Sequence, residues 1–297
     1  MTDIKPGIYR PGEPGFIAPG SPEHSMLISP SKVAAIMGLS RWDSPYCLWH
    51  RMKGLAAPEP EKDIFRVGHA FELALAELWR YDNPGWQLSP GEVQYVGDPE
   101  KFGFPYLVTL DRRGRRGRRR RDVEFKIARS LEEWGDDFTD EAPPDYFTQV
   151  LTQQVFSGLT KEPAHLVVMG PRFQHHTYVI PYNMAAAAAI IKACKEFWDS
   201  LDETEPPPLD NSVATYEFVR EQHPDIARGI TVQITPEDGT DYLTAVAEAK
   251  EATNRERGAK TKILDLMGDA QYATAGGVRV ARRQPGRGGS VSLYAVQ

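Results

Sequence analysis

The 297-residue chain has only two cysteines, Cys47 and Cys194, far apart in sequence. They make no zinc or iron–sulfur spacing, so both read as small buried hydrophobes and a reducing compartment suits them. No apolar run reaches the roughly 18 residues of a membrane span. The opening stretch MTDIKPGIYRPGEPGF has no apolar core, so no signal peptide is expected. His175-His176 is not a metal pair, because neighbours in a strand face opposite ways. An excess of positive charge is missing too: the net charge is −6, which by itself argues against a polyanionic partner.

What is present is concentrated. Residues 112–121 hold eight arginines, and without them 27 basic residues face 41 acidic ones. An acidic body with one basic patch can steer a polyanion to a single place. The patch interrupts FPYLVTLDRRGRRGRRRRDVEFKI, residues 104–127. If the flanking apolar runs pair as a hairpin, Asp111 meets Glu124 at its open end. Glu124 and Lys126 then share one strand face while Phe125 takes the other. Two carboxylates beside one ammonium can hold a hard divalent cation and assist a water nucleophile. That is a phosphodiester-cleaving site in outline.

The rest of the chain supplies a scaffold. Residues 1–28, rich in proline and glycine, read as a flexible N-terminal arm. Ser29 or Ser31 caps a short helix that Gly38 stops, and Pro45 opens the next. Residues 55–62 read as a polar linker. A strong helix follows over 63–80, where His69 and Glu72 lie three apart. Strands are expected at 91–97, 102–110 and 121–128, then a crossing loop or short helix over 129–143. A helix over 145–157 carries Tyr146, Gln149 and Gln153 on one stripe. Strands at 164–170 and 175–182 and a helix from Met184 to about Leu201 complete this part. Residues 241–268 suit one long helix or two abutting ones. GGVRVARR and SVSLYAV alternate around PGRGG as a hairpin.

This ordered set resembles the PD-(D/E)XK nuclease superfamily and, more closely, its YqaJ-like viral recombinase exonucleases, relatives of bacteriophage lambda exonuclease. The resemblance runs through SKVAAIMGLSRWDSPYCLW, FRVGHAFELALAELW, YLVTLD, VEFKIA and PPDYFTQVLTQQVFSG, and covers most of the chain. It implies an α/β (α+β) restriction-endonuclease-like core, a central mixed sheet flanked by helices, over 29–205. An accessory region of long helix and hairpin takes 206–297. It implies Asp111, Glu124 and the Phe125 main-chain carbonyl as metal ligands, with Glu72 as a ligand or through water. Lys126 would orient or activate the attacking water, and Gln149 would hold the nucleophile or a phosphate. Ser31, Arg41, Trp42, Tyr146 and Gln153 would serve DNA contact. Pro30 precedes Ser31 where relatives often carry an arginine. The arginine block, Arg112, Arg113, Arg115, Arg116, Arg118, Arg119, Arg120 and Arg121, exceeds the family pattern and is expected to clamp phosphates without base specificity.

The expected protein is therefore a Mg2+-dependent DNA exonuclease, with Mn2+ able to substitute and one or two ions per site. It would resect one strand of linear double-stranded DNA, 5′ to 3′, in the cytoplasm of a bacterial host. The resemblance alone implies a ring-like homo-oligomer, a trimer in relatives, and a single-strand annealing protein as partner. An endonuclease of the same fold and a non-catalytic DNA-binding scaffold are the alternatives.

Overall fold

The computed structural model describes residues 5–57, 63–286 and 290–296. The expected linker over 55–62 lies largely outside these, as does the tip of the C-terminal hairpin. Two compact units divide the chain, Met1–Pro224 and Asp225–Gln297.

The first unit begins with β1 (Gly7–Tyr9), α1 (Pro22–Ser25), α2 (Pro30–Ile36), α3 (Pro45–Met52) and α4 (Asp63–Asp82). There follow β2 (Gln87–Leu88), β3 (Val93–Val96), α5 (Pro99–Phe102), β4 (Leu107–Leu110), β5 (Arg112–Arg116) and β6 (Arg119–Ile127). Then come α6 (Pro144–Ser157), β7 (Ala164–Met169), β8 (His175–Ile180), α7 (Met184–Ser200) and α8 (Val213–Gln222). Local chemistry explains several boundaries. Ser44 accepts the Cys47 N–H at 3.1 Å and Pro45 fills the first turn of α3. Asn183 accepts the Ala186 N–H at 3.0 Å, starting a helix whose alanine run favours it. Gly38 follows α2 with φ +66°, a conformation that suits a residue without Cβ.

The central sheet has five strands in the order β2-β5-β6-β7-β8. Only β6 and β7 run parallel; the other pairs are antiparallel, so the sheet is mixed. Helix α4 covers one face, where Leu75, Ala76 and Trp79 bury against Val123, Phe125, Val167 and Met169. Helix α6 covers the other, with Val150 among Leu166, Val168, Tyr178 and Ile180. Each large side chain buried this way contributes about 1.5–3 kcal/mol. Sandwiching the strand between two helices makes the polar residues of β6 part of the interior. This is the α/β fold with a helix-flanked mixed sheet that the sequence implies.

Three expectations need correction. Within the expected arm of residues 1–28, the part from Gly7 is not loose, because β1 pairs with β3 and Ile17, Leu27 and Ile28 are buried. Next, the apolar runs around the arginine block do not pair with each other. β4 pairs with β3 in a separate three-stranded sheet, and the arginines themselves form the hairpin, β5 with β6. Asp111 is the single residue between β4 and β5, at the point where pairing switches sheets. Finally, the compact unit extends past 205, since α8 packs on α3 with Phe218 against Tyr46 and His50. The segment 129–143 follows the outer edge of β8, through Phe138 N–H to Thr177 O at 2.9 Å and Val179 N–H to Thr139 O at 2.8 Å.

The second unit holds α9 (Pro236–Met267) and a three-stranded antiparallel sheet of β9 (Tyr272–Ala275), β10 (Val278–Pro285) and β11 (Val291–Ala295). The long helix and the hairpin β10–β11 match the sequence pattern; β9 adds a strand. Among the described residues no helix is long and apolar enough to cross a membrane.

Candidate active site

Alternation along β6 puts Asp122, Glu124 and Lys126 on the α6 face and Val123 and Phe125 on the α4 face. Glu124 is almost fully buried, at 2% exposure. Its Oε1 accepts from Lys126 Nζ at 2.6 Å and from Gln149 Nε2 at 2.7 Å. Its Oε2 accepts from Gln153 Nε2 at 2.7 Å. Gln149 and Gln153 are four residues apart, so one face of α6 delivers both donors. The glutamine stripe is therefore not a solvated surface.

Asp111 reaches the same place from the sheet junction. The register pairs Arg112 with Val123, which sets Asp111 beside Glu124. Its Oδ2 accepts the Phe125 main-chain N–H at 2.8 Å. Burial, together with the nearby charges of Glu124 and Glu72, pushes its carboxyl well above the usual range. Lys126 responds the other way. Burial would lower its ammonium, but Glu124 and Asp111 outweigh that and hold it above its ordinary value. Glu72 comes from α4, with its carboxylate 3.0 Å from His69 Nδ1, and its charge is felt at Asp111. Asp111, Glu124, Lys126, Gln149 and Gln153 thus form one cluster with Glu72 at its margin.

Two carboxylates near this cluster escape sequence reading. Glu92, just before β3, is half-buried; its carboxyl is raised by burial, then by Glu72. Glu92 has no local signal in sequence. Asp122 has no exposure, and among the described residues no side chain donates to its carboxylate oxygens. Burial, then Glu124 and Asp111, pushes its carboxyl well up, favouring the neutral form. Its two-residue spacing from Glu124 was a visible signal, because the strand period places both on one face.

The expected DNA contacts fare unevenly. The Arg41 guanidinium is already held, donating to both Asp145 oxygens at 3.0 and 3.2 Å and to Glu133 at 2.6 Å. Trp42 beside it is 69% exposed, and Ser31 is exposed at the start of α2. Tyr146 stacks on Trp134 with ring centroids 5.0 Å apart. In the arginine hairpin, Arg112 and Arg121 are buried rather than available for clamping. Arg121 lies over the Trp86 ring at 4.2 Å and beside His165 and Glu162. Arg119 donates to Glu162 at 2.7 Å, and Arg113 to the Tyr95 hydroxyl at 3.2 Å. Arg120 donates to the Gly117 carbonyl at 2.7 Å and Arg115 to the same carbonyl at 3.4 Å. The side chains of Arg116 and Arg118 are exposed at the hairpin tip and make no hydrogen bond or ion pair among the described residues.

Among the described residues no three Asp, Glu, His or Cys side chains are grouped closely enough to hold a metal ion by themselves. The donors that would fit a hard cation are two carboxylates, Asp111 and Glu124, and the main-chain carbonyl of Phe125, the residue after Glu124.

No family model matches the chain. It is 23% identical over 256 residues to the uncharacterized protein YqaJ of Bacillus subtilis (strain 168), covering 84% of this chain and 77% of that one. Among solved structures it is similar to an alkaline exonuclease from Laribacter hongkongensis, at 15% identity and a TM-score of 0.45. That match covers 67% of this chain and 94% of that one.

Proposed function

We propose that the chain is a metal-dependent deoxyribonuclease of the PD-(D/E)XK type, acting as an exonuclease on linear duplex DNA. The observation that carries this reading is Glu124, buried beside Asp111 and held by Lys126, Gln149 and Gln153. A carboxylate fixed by three donors keeps its orientation, which phosphoryl chemistry needs more than flexibility. Asp111, Glu124 and the Phe125 carbonyl would hold Mg2+ or Mn2+, with Glu72 acting through water. The bound ion would supply Lewis acidity to the phosphate and a lowered pKa for water.

The chain's own residues do the rest. Lys126, whose ammonium donates to Glu124 and is raised by Glu124 and Asp111 against the effect of burial, serves in this reading as a donor. It orients the attacking water and offsets the charge that builds on the phosphoryl oxygens. Gln149 and Gln153 fix Glu124, and the Asp111 bond to the Phe125 N–H fixes the strand junction. The exposed Arg116 and Arg118 attract backbone phosphates without reading sequence. Trp42 and Ser31 add contact on the N-terminal side. Resection from 5′ to 3′, a ring-like homo-oligomer and a single-strand annealing partner belong to the same reading.

The test compares linear and covalently closed duplex in Mg2+, in Mn2+ and in chelator. The expected result is metal-dependent loss of linear DNA with closed circles intact. Cutting of closed circles would make the enzyme an endonuclease, and intact DNA in both metals would leave a binding scaffold.

A further inference from the structure

The charge of the C-terminal sheet differs from that of the rest of the chain. From residue 270 to the end there are four arginines and no Asp or Glu, in a protein of net charge −6. Strand register explains where two of these arginines point. Tyr272 pairs with Arg282 across β9 and β10, and Arg282 pairs with Tyr294 across β10 and β11. Directly paired residues share a sheet face, so Tyr272, Arg282 and Tyr294 form one row across all three strands. A bulge between Arg279 and Ala281 sets Arg279 opposite Thr274. Thr274 is two residues from Tyr272, so the bulge turns Arg279 onto the same face. There its guanidinium lies 4.4 Å from the Tyr272 ring centroid, while Arg282 lies 5.9 Å from that of Tyr294. The tyrosines are 42% and 48% exposed, whereas Ala281 on the reverse face is buried.

We propose that this face, Tyr272–Arg279–Arg282–Tyr294, binds single-stranded DNA. Exposed rings offer stacking to bases that are not already stacked in a duplex, and the guanidiniums meet the backbone phosphates. Two rings with an arginine between them and no acidic residue in the sheet suit a flexible polyanion bearing aromatic bases. The inference deepens the nuclease reading by giving the strand left after resection a place to bind. Its test is independent of cleavage.

The measurement is anisotropy of a labelled oligo-dT with full-length protein in chelator, on a Lys126→Ala background. Tyr272→Ala with Tyr294→Ala should weaken binding at least about tenfold, while Phe at both positions preserves it. Arg282→Gln should reduce the salt dependence by about one phosphate contact. Affinity for blunt duplex should be unchanged by the tyrosine variants. Photocrosslinking of oligo-dT to the protein with its tyrosines intact should label peptides holding Tyr272 or Tyr294, which covers the case of a variant that misfolds. Unchanged oligo-dT affinity in the folded double alanine variant, or crosslinks confined to residues before 225, would overturn the proposal. So would preference for an RNA oligonucleotide over DNA. Chelator-resistant oligo-dT binding by protein with Lys126 intact, with no cleavage by that protein in metal, would separate failure of the nuclease reading from failure of this one.

Discussion

The two halves of β6 use charge in opposite ways. At Arg119–Arg121 the charges hold the sheet together: Arg121 covers Trp86, both Arg119 and Arg121 meet Glu162, and His165 sits between the Trp79 indole and Arg121. At Asp122–Lys126 the charges are confined: carboxylates accumulate out of water with one ammonium among them. The first half is what a protein does with surplus cations on a strand. The second has no structural benefit that a leucine would not exceed, because buried charge costs folding energy unless fully compensated. That difference is why the proposed function places the chemistry on the C-terminal half.

Breaking the functional half should have the largest effect on chemistry. Lys126→Ala should lower cleavage by about 10²–10³-fold through the lost charge at the phosphoryl group, read in single-turnover assays at saturating metal. Lys126→Arg should recover little, since a planar guanidinium does not replace a compact ammonium. Asp122→Asn should act in the opposite sense on stability. The raised carboxyl of Asp122 means the unfolded chain loses its proton at lower pH than the folded one, so folding loses stability as pH rises above the ordinary aspartate range. Removing that group should stabilise the fold above the ordinary aspartate range, as urea unfolding at several pH values would report.

Breaking the structural half should cost stability and spare the chemistry. Arg121→Ala should destabilise by about 1–3 kcal/mol through lost packing on Trp86. Arg121→Met, which keeps the stem, should cost less. His165 sharpens the same point through pH. Burial, then Arg121, lowers its pKa from 6.5 to about 3, so it contributes stability above its unfolded value. That contribution falls as pH drops from about 6.5 toward about 3, by at most about 1.4 kcal/mol per unit. Asp111 and Asp122 shift the other way, so the signature is the difference between wild type and His165→Gln, which should flatten in that window. The smallest effect is expected at the hairpin tip. Arg116→Gln with Arg118→Gln should leave stability unchanged and reduce the salt slope of duplex binding by about two.

The sequence was most legible where a period and a chemical pairing coincide. Lys126 on the same face as Glu124 follows from the two-residue strand repeat, whereas Asp111 meets Glu124 through the β5–β6 register and not through pairing of the apolar runs. The glutamine spacing marked one face of α6, but its partner is a carboxylate across the helix–sheet interface, which no local pattern specifies. The arginine block departs from an open phosphate clamp for a physical reason. Arginine suits a solvated turn, yet its stem packs on aromatics and its head pairs with distant carboxylates, so Trp86, Glu162 and His165 turned the block into strands. Asp145 and Glu133 hold Arg41 in the same long-range manner, more than 90 positions away in sequence. Density of charge in sequence does not predict its availability in the fold. The strands of the C-terminal sheet have only three arginines, and two of them share an exposed face with the tyrosines.

The most direct test of the central claim follows a linear duplex labelled at each strand end in turn, incubated with Mg2+ and either wild-type protein or the Glu124→Gln variant. That substitution keeps the shape and removes the charge. The account predicts progressive loss of one strand, its label identifying the polarity, with wild type only. Equal degradation by Glu124→Gln, or no degradation by folded wild type in Mg2+ or Mn2+, would contradict it.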